Sequence, residues 1–169
     1  IVLSCVLPIA SAEVRYTPRR MGAWLSGNTG GQPTCLNNVG QAAGALRPQD
    51  TDNAWLWTLE TRQVTAFGGA VNPNDIEYAR DMNDSGVAVG WTWGRAFRWH
   101  AATGFTLLSR LDSDMPDAGA NAINNVGHIV GGSRGLGLSE AVLWTSDTEI
   151  VRLGLLPGAF QSPALDIND

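Results

Sequence analysis

The stretch Met82-Asn83-Asp84-Ser85-Gly86-Val87-Ala88-Val89-Gly90 decides the fold, because the chain repeats it in variant form. Residues 36–44 read LNNVGQAAG, residues 123–131 read INNVGHIVG, and residues 167–169 read IND. The leading asparagines are Asn37, Asn83, Asn124 and Asn168, separated by 46, 41 and 44 residues. Self-similarity at such a period is the mark of a repeat architecture whose units cannot bury their apolar faces alone.

Each copy carries the same signals in the same order. Asn-[Asn/Asp]-x-Gly reads as a tight hairpin turn, because Asn and Asp tolerate left-handed backbone and Gly adopts it freely. A second glycine follows four residues later, at Gly44, Gly90 and Gly131. Inside a strand, such a glycine marks close approach of another backbone or a large ring. Next comes a small-apolar-x-Trp signature: Ala54-Trp55-Leu56-Trp57, Ala96-Phe97-Arg98-Trp99, Ala141-Val142-Leu143-Trp144. Alternation puts Trp55 with Trp57, Phe97 with Trp99 and Val142 with Trp144 on one face, and the alanine on the other. Apolar stretches at 64–67, 105–108 and 150–153 close the copies.

No segment shows a sustained helical stripe. Four short strands in about 40–50 residues is the size of a propeller blade. The expected class is therefore all-β: repeated four-stranded antiparallel blades, β-propeller-like, as an open ring fragment, each with one thin and one bulky face. Copies fall near 33–77, 78–118 and 119–162 within a β-repeat domain spanning 13–169, with partial copies at both ends. The break at Asp169, inside a turn, and the missing initiator Met suggest part of a longer product.

The segments DMNDSGVAVGW…AFRW and AINNVGHIVGG…AVLW resemble the extracellular HAF repeat of secreted or surface-exposed bacterial proteins. That repeat runs Leu-Gly-x-Leu-Gly-Gly, then Ala-x-x-Ile-Asn-[Asn/Asp]-x-Gly-x-x-Val-Gly, then His-Ala-Phe-x-Trp. The resemblance covers residues from about Tyr16 to Asp169. It departs at the naming histidine, whose place is held by Asn53, Arg95 and Glu140, and the lead-in survives well only at Leu153-Gly154-Leu155-Leu156. The resemblance implies an architecture and an extracellular or cell-surface address; it implies no particular chemistry.

Composition narrows the function classes. All 11 basic residues are Arg, the net charge is −5, and no basic run exceeds Arg19-Arg20. Such a chain lacks the basic footprint of nucleic-acid binders and the attraction to anionic lipid. The uncharged stretch 1–12, IVLSCVLPIASA, ends in Ala10-Ser11-Ala12 and reads as an apolar signal region with a small-x-small cleavage site, clipped at its front. It is shorter than the roughly 20 residues a membrane span needs. Cleavage after Ala12 would remove Cys5 and leave Cys35 as a lone thiol, best read as a small buried hydrophobe.

Candidate chemistry is sparse, and no catalytic residue, metal site or cofactor is expected. His100 and His128 stand at positions that other copies fill with Thr58 and Thr145, or with Gln41 and Val87. Neither has a nucleophile–carboxylate partner in a recognisable motif. Asp112, Asp114 and Asp117 have alternating oxygens of the kind calcium takes, but miss the full loop pattern and read as a solvated connection. The strongest feature is GWTWGRAFRW at 90–99, where Trp91 and Trp93 share a face at strand spacing and Arg95 follows. Exposed Trp and Arg are common binding anchors, so Trp91, Trp93 and Arg95 are the expected ligand-binding set. The favoured expectation is a secreted module binding a carbohydrate or protein ligand without catalysis. One alternative is a fragment of a secreted propeller-type polysaccharide-active enzyme, with an acidic cleft lined by residues such as Asp81 and Asp84. Another is a structural surface component that self-associates through open sheet edges.

Overall fold

The computed structural model describes residues 30–47, 54–67 and 77–169. The signal-like segment 1–12 lies outside them. The described chain forms twelve strands and no helix, in three four-stranded antiparallel sheets whose strands pair in sequence order. The first sheet holds β1 (Gly30–Leu36), β2 (Gln41–Arg47), β3 (Ala54–Thr58) and β4 (Val64–Phe67). The second holds β5 (Glu77–Met82), β6 (Ala88–Thr92), β7 (Arg95–His100) and β8 (Gly104–Leu107). The third holds β9 (Asp117–Ile123), β10 (Ile129–Gly135), β11 (Leu138–Trp144) and β12 (Ile150–Gly154). None closes into a barrel, so the all-β, blade-like reading holds. Among the described residues no helix is long and apolar enough to cross a membrane.

The thin and bulky faces stack as the alternation requires. Ala43, Ala54, Leu56 and Phe67 of the first sheet pack against Ala88, Phe97 and Trp99 of the second. Phe67 lies on Trp99 with ring centroids 4.0 Å apart and planes 7° off parallel. The second sheet then turns its own thin face, Val89 and Ala96, to Val142 and Trp144 of the third. The Trp99 face of the second sheet and the Trp144 face of the third thus each fill the hollow left by the preceding sheet's alanines.

Two rows of polar contacts tie the sheets together at the repeat period. The turn glycines Gly40, Gly86 and Gly127 adopt φ of +82°, +78° and +93°. The asparagines before them do not, so left-handed backbone is not their role. Asn83 instead accepts from Ser85 N at 3.1 Å and Val87 N at 3.0 Å through Oδ1, closing its own turn. Its Nδ2 donates to Asn124 O at 3.1 Å in the next turn. Asn37 donates likewise to Asn83 O at 3.0 Å, and Asn124 to Asn168 O at 3.1 Å. Asn37, Asn83 and Asn124 are all buried, where an unpaired amide would be costly.

Beside this row runs a second, exposed one. Asn38 donates from N and Nδ2 to Asp84 at 2.8 and 3.0 Å, Asp84 N donates to Asn125 Oδ1 at 2.9 Å, and Asn125 donates to Asp169 at 2.7 and 3.0 Å. The order Asn, Asp, Asn, Asp keeps any two carboxylates from adjoining. Asp84 is held below the ordinary carboxylate range by the Asn38 side-chain amide first and its backbone N–H second.

The second glycine of each copy answers to a β-bulge. Register slips between Pro33 and Cys35, between Ala79 and Asp81, and opposite Val130/Gly131. A Cβ on Gly44, Gly90 or Gly131 would stand 2.0, 1.8 or 2.0 Å from the carbonyl oxygen of Gln32, Tyr78 or Gly119 on the bulged strand. Only glycine admits that approach. The extra residues, Thr34, Arg80 and Asn121, reach sideways: Thr34 Oγ1 donates to Ala79 O at 2.7 Å, Arg80 Nη1 to Asn121 Oδ1, and Asn121 Nδ2 to Ala164 O at 2.7 Å.

Candidate binding groove between the second and third sheets

The loop from β6 to β7 is the two-residue turn Trp93-Gly94. Both residues have positive φ, +35° and +74°. That is the type I′ geometry, which matches the twist of flanking strands and normally selects Asn-Gly. A tryptophan there is strained, at a cost of order 1–3 kcal/mol that the surroundings must sustain. Trp93 is nevertheless 64% exposed. The β10–β11 turn repeats the geometry with Leu136 (φ +49°) and Gly137 (φ +79°), so the scaffold presents a large apolar side chain at this end of both sheets.

The turn is fastened to the third sheet. Ala118 N donates to Gly94 O at 2.8 Å, and a Cβ on Gly94 would fall 2.5 Å from Asp117 Oδ1. Trp91, two residues earlier on β6, stacks on Tyr78 with centroids 5.9 Å apart and leans over the bare backbone of Gly119. Between these elements lies a groove of about 510 Å³, lined by Trp91, Trp93, Arg80, Asn121, Asp117 and Arg134, with Pro163 and Leu165 at one side. That volume lies within the range of about 300–1,000 Å³ usual for ligand sites.

The structure brings together two of the three predicted binding residues. Trp91 and Trp93 share the groove, but not as neighbours on one strand face, since Trp93 belongs to the turn. Arg95 does not line it. Alternation on β7 groups Arg95 with Phe97 and Trp99, the face turned to the first sheet. Its Nε is buried without a hydrogen-bond partner, and burial lowers its pKa, with Arg110 adding repulsion. Arg80 and Arg134 supply the guanidinium groups of the groove instead.

The remaining candidates take structural parts. Asp112 Oδ1 accepts from Asp114 N at 3.0 Å and Met115 N at 2.9 Å, while its Oδ2 takes Arg152 at 2.7 Å. Asp117 sits apart, in the groove. Among the described residues no three His, Cys, Asp or Glu side chains converge as metal ligands would. Asp81 Oδ2 accepts from Ile123 N at 2.8 Å, whereas Asp84 lines a small hollow of about 200 Å³ beside the asparagine row, together with Asn125 and Asp169, and accepts there from Asn38 N. His100 Nδ1 accepts from Ala102 N at 3.3 Å, and His128 N donates to Asn124 Oδ1 at 2.8 Å. Cys35 packs against the first core, where burial pushes its thiol up to about 11. That is the environment of an inert thiol rather than a nucleophile.

Fold and site together define a stacked-sheet repeat protein with an open groove of aromatic and polar character. Compared with protein-family models, with curated proteins and with solved structures, the chain matches none.

Proposed function

We propose that this chain is a secreted or surface-exposed repeat module that binds a carbohydrate-bearing ligand in the groove between its second and third sheets, without performing chemistry on it. The observation that carries the reading is Trp93, a large aromatic held in strained backbone and left exposed beside a second tryptophan. Strain of this kind is retained where surrounding structure enforces it, and it concentrates at ligand sites. Flat indole faces with nearby Arg, Asn and Asp suit a ring bearing hydroxyl groups. The extracellular address rests on the resemblance to the HAF repeat and on the apolar segment 1–12.

Tryptophan-fluorescence titration of the whole chain against a panel of soluble glycans tests this. Saturable binding that Trp93→Ala abolishes, with the unfolding midpoint preserved, supports the module. A panel that leaves both proteins unbound removes it.

A further inference from the structure

The groove has a sign. Arg80 and Arg134 both line it, and among the described residues Asp117 is its one carboxylate. Among the described residues the ion pairs join Arg98 to Asp147, and Arg152 to Asp112 and Glu140. Neither Arg80 nor Arg134 takes part in one. Arg80 spends one nitrogen on the neutral Asn121 side chain, which fixes the guanidinium without neutralising it. Arg134 stands opposite Asp117 in the β9–β10 pairing, yet lies outside ion-pair distance of it. Two guanidinium charges against one carboxylate leave this groove positive on a chain whose net charge is −5.

That local reversal has consequences for the ligand. A neutral sugar needs aromatic faces and hydrogen-bonding groups, and it does not require two uncompensated charges beside them. Guanidinium groups match carboxylate and sulfate oxygens in geometry and charge, and fixed ones lose little freedom on pairing. The mild acidity of the rest of the chain repels polyanions from other surfaces, so attraction is confined to the groove. We infer that the ligand is an anionic polysaccharide, its sugar rings on Trp91 and Trp93 and its acidic groups paired with Arg80 and Arg134. The inference rests on the binding reading above and sharpens it to one chemical class.

The test uses the full chain with two probes that share a backbone and differ in charge: oligogalacturonate and its fully methyl-esterified form. Calorimetry at about 0.05 M and about 0.15 M salt spans a range over which screening of exposed charges increases. The free acid is expected to bind at least about tenfold more tightly than the ester, a difference of about 1.4 kcal/mol, and to weaken as salt rises. Arg80→Gln and Arg134→Gln should each bring the free acid's affinity toward that of the ester. Arg134 is exposed, so its variant is expected to fold normally, which circular dichroism verifies. Equal affinity for acid and ester, or arginine variants that bind as wild type does, overturns the anionic assignment while leaving a sugar-binding groove in place. Failure to bind either probe overturns the anionic assignment too, and the glycan panel then decides the broader reading separately.

Discussion

Replacing Asn83 with alanine tests whether the buried asparagine row holds the sheets together. Its side chain is 5% exposed and makes three hydrogen bonds: two accepted from Ser85 and Val87 within its own turn, and one donated to Asn124 O. At about 1 kcal/mol net for each bond, and more for any group left buried and unpaired, the loss comes to about 3 kcal/mol. A domain of ordinary stability has about 5–15 kcal/mol in total. Asn83→Asp partitions the effect, since Oδ1 can still close the turn while the donor to Asn124 is lost and an oxygen is set against a carbonyl. Asn38→Ala, on the exposed row, serves as the control and should cost well under 1 kcal/mol, because water replaces what is removed. Urea unfolding followed by tryptophan fluorescence and circular dichroism gives the three midpoints, and unchanged slopes license their comparison. The reasoning fails if Asn83→Ala unfolds within about 0.5 kcal/mol of wild type, the range of an ordinary surface change.

Four further outcomes are expected. Gly90→Ala places a methyl group 1.8 Å from Tyr78 O, a backbone atom that moves only if the bulge is rebuilt, so the variant should lose about 3 kcal/mol or more by denaturant melt; a melt like wild type would mean the bulge is not required. Trp93→Asn relieves the positive φ and should raise stability by about 0.5–1 kcal/mol while abolishing glycan binding, so a variant that binds normally refutes the role of the ring. Asn125→Asp sets three carboxylates in a row, at 84, 125 and 169. Repulsion raises their folded-state pKa values, so the penalty should be present at pH 7 and disappear as acid protonates them, below about pH 4; a penalty independent of pH would contradict the row. In the native chain the sign is opposite. Asp84, held down by Asn38, and Asp147, held down by the Arg98 guanidinium, contribute stability present above the unfolded-state value near 3.8 and lost as pH falls through their lower folded values. Asp147→Asn should flatten that acid limb in melts taken between about pH 5 and pH 2.

Much of the architecture was legible because repetition made it so. The separations of 46, 41 and 44 residues reappear as the sequence separations of the hydrogen bonds between Asn37, Asn83, Asn124 and Asn168. The alternation in Ala96-Phe97-Arg98-Trp99 became two faces packed against two different sheets. The function of the asparagines was less legible. Turn chemistry explains Asn-x-x-Gly sufficiently by itself, so nothing in one copy points to a bond with the next. The residues Thr34, Arg80 and Asn121 were missed altogether, since three unlike side chains share one bulge position and only the backbone shows their kinship.

The site was harder to read than the fold for a related reason. In Trp91-Thr92-Trp93 the alternation suggests a strand, whereas the turn begins at Trp93 in a position that favours Asn. A rule of local preference is violated there, and such violations gather at functional places. Sequence proximity groups Arg95 with the tryptophans as a binding residue, but the two-residue turn reverses the chain and carries it to the face toward the first sheet. Arg134 comes from a different unit, and Asp117 was read as part of a loop although it begins β9. A groove formed between units draws on residues about one repeat apart, and no short motif spans that distance.

The amides of Asn37, Asn83 and Asn124 all point one way along the chain, each donating a hydrogen bond to the unit that follows. The row therefore has a sense of direction, like a coupling with a plug at one end and a socket at the other. A unit joined in reverse would set donor against donor, so only head-to-tail order closes the contacts. A unit duplicated or removed whole, by contrast, leaves a plug facing a socket at the new junction. Because the exposed row beside it alternates Asn and Asp, a gene built this way can change length by pairs of repeats without setting carboxylate against carboxylate, whereas a change of one residue inside a turn is felt in the neighbouring unit.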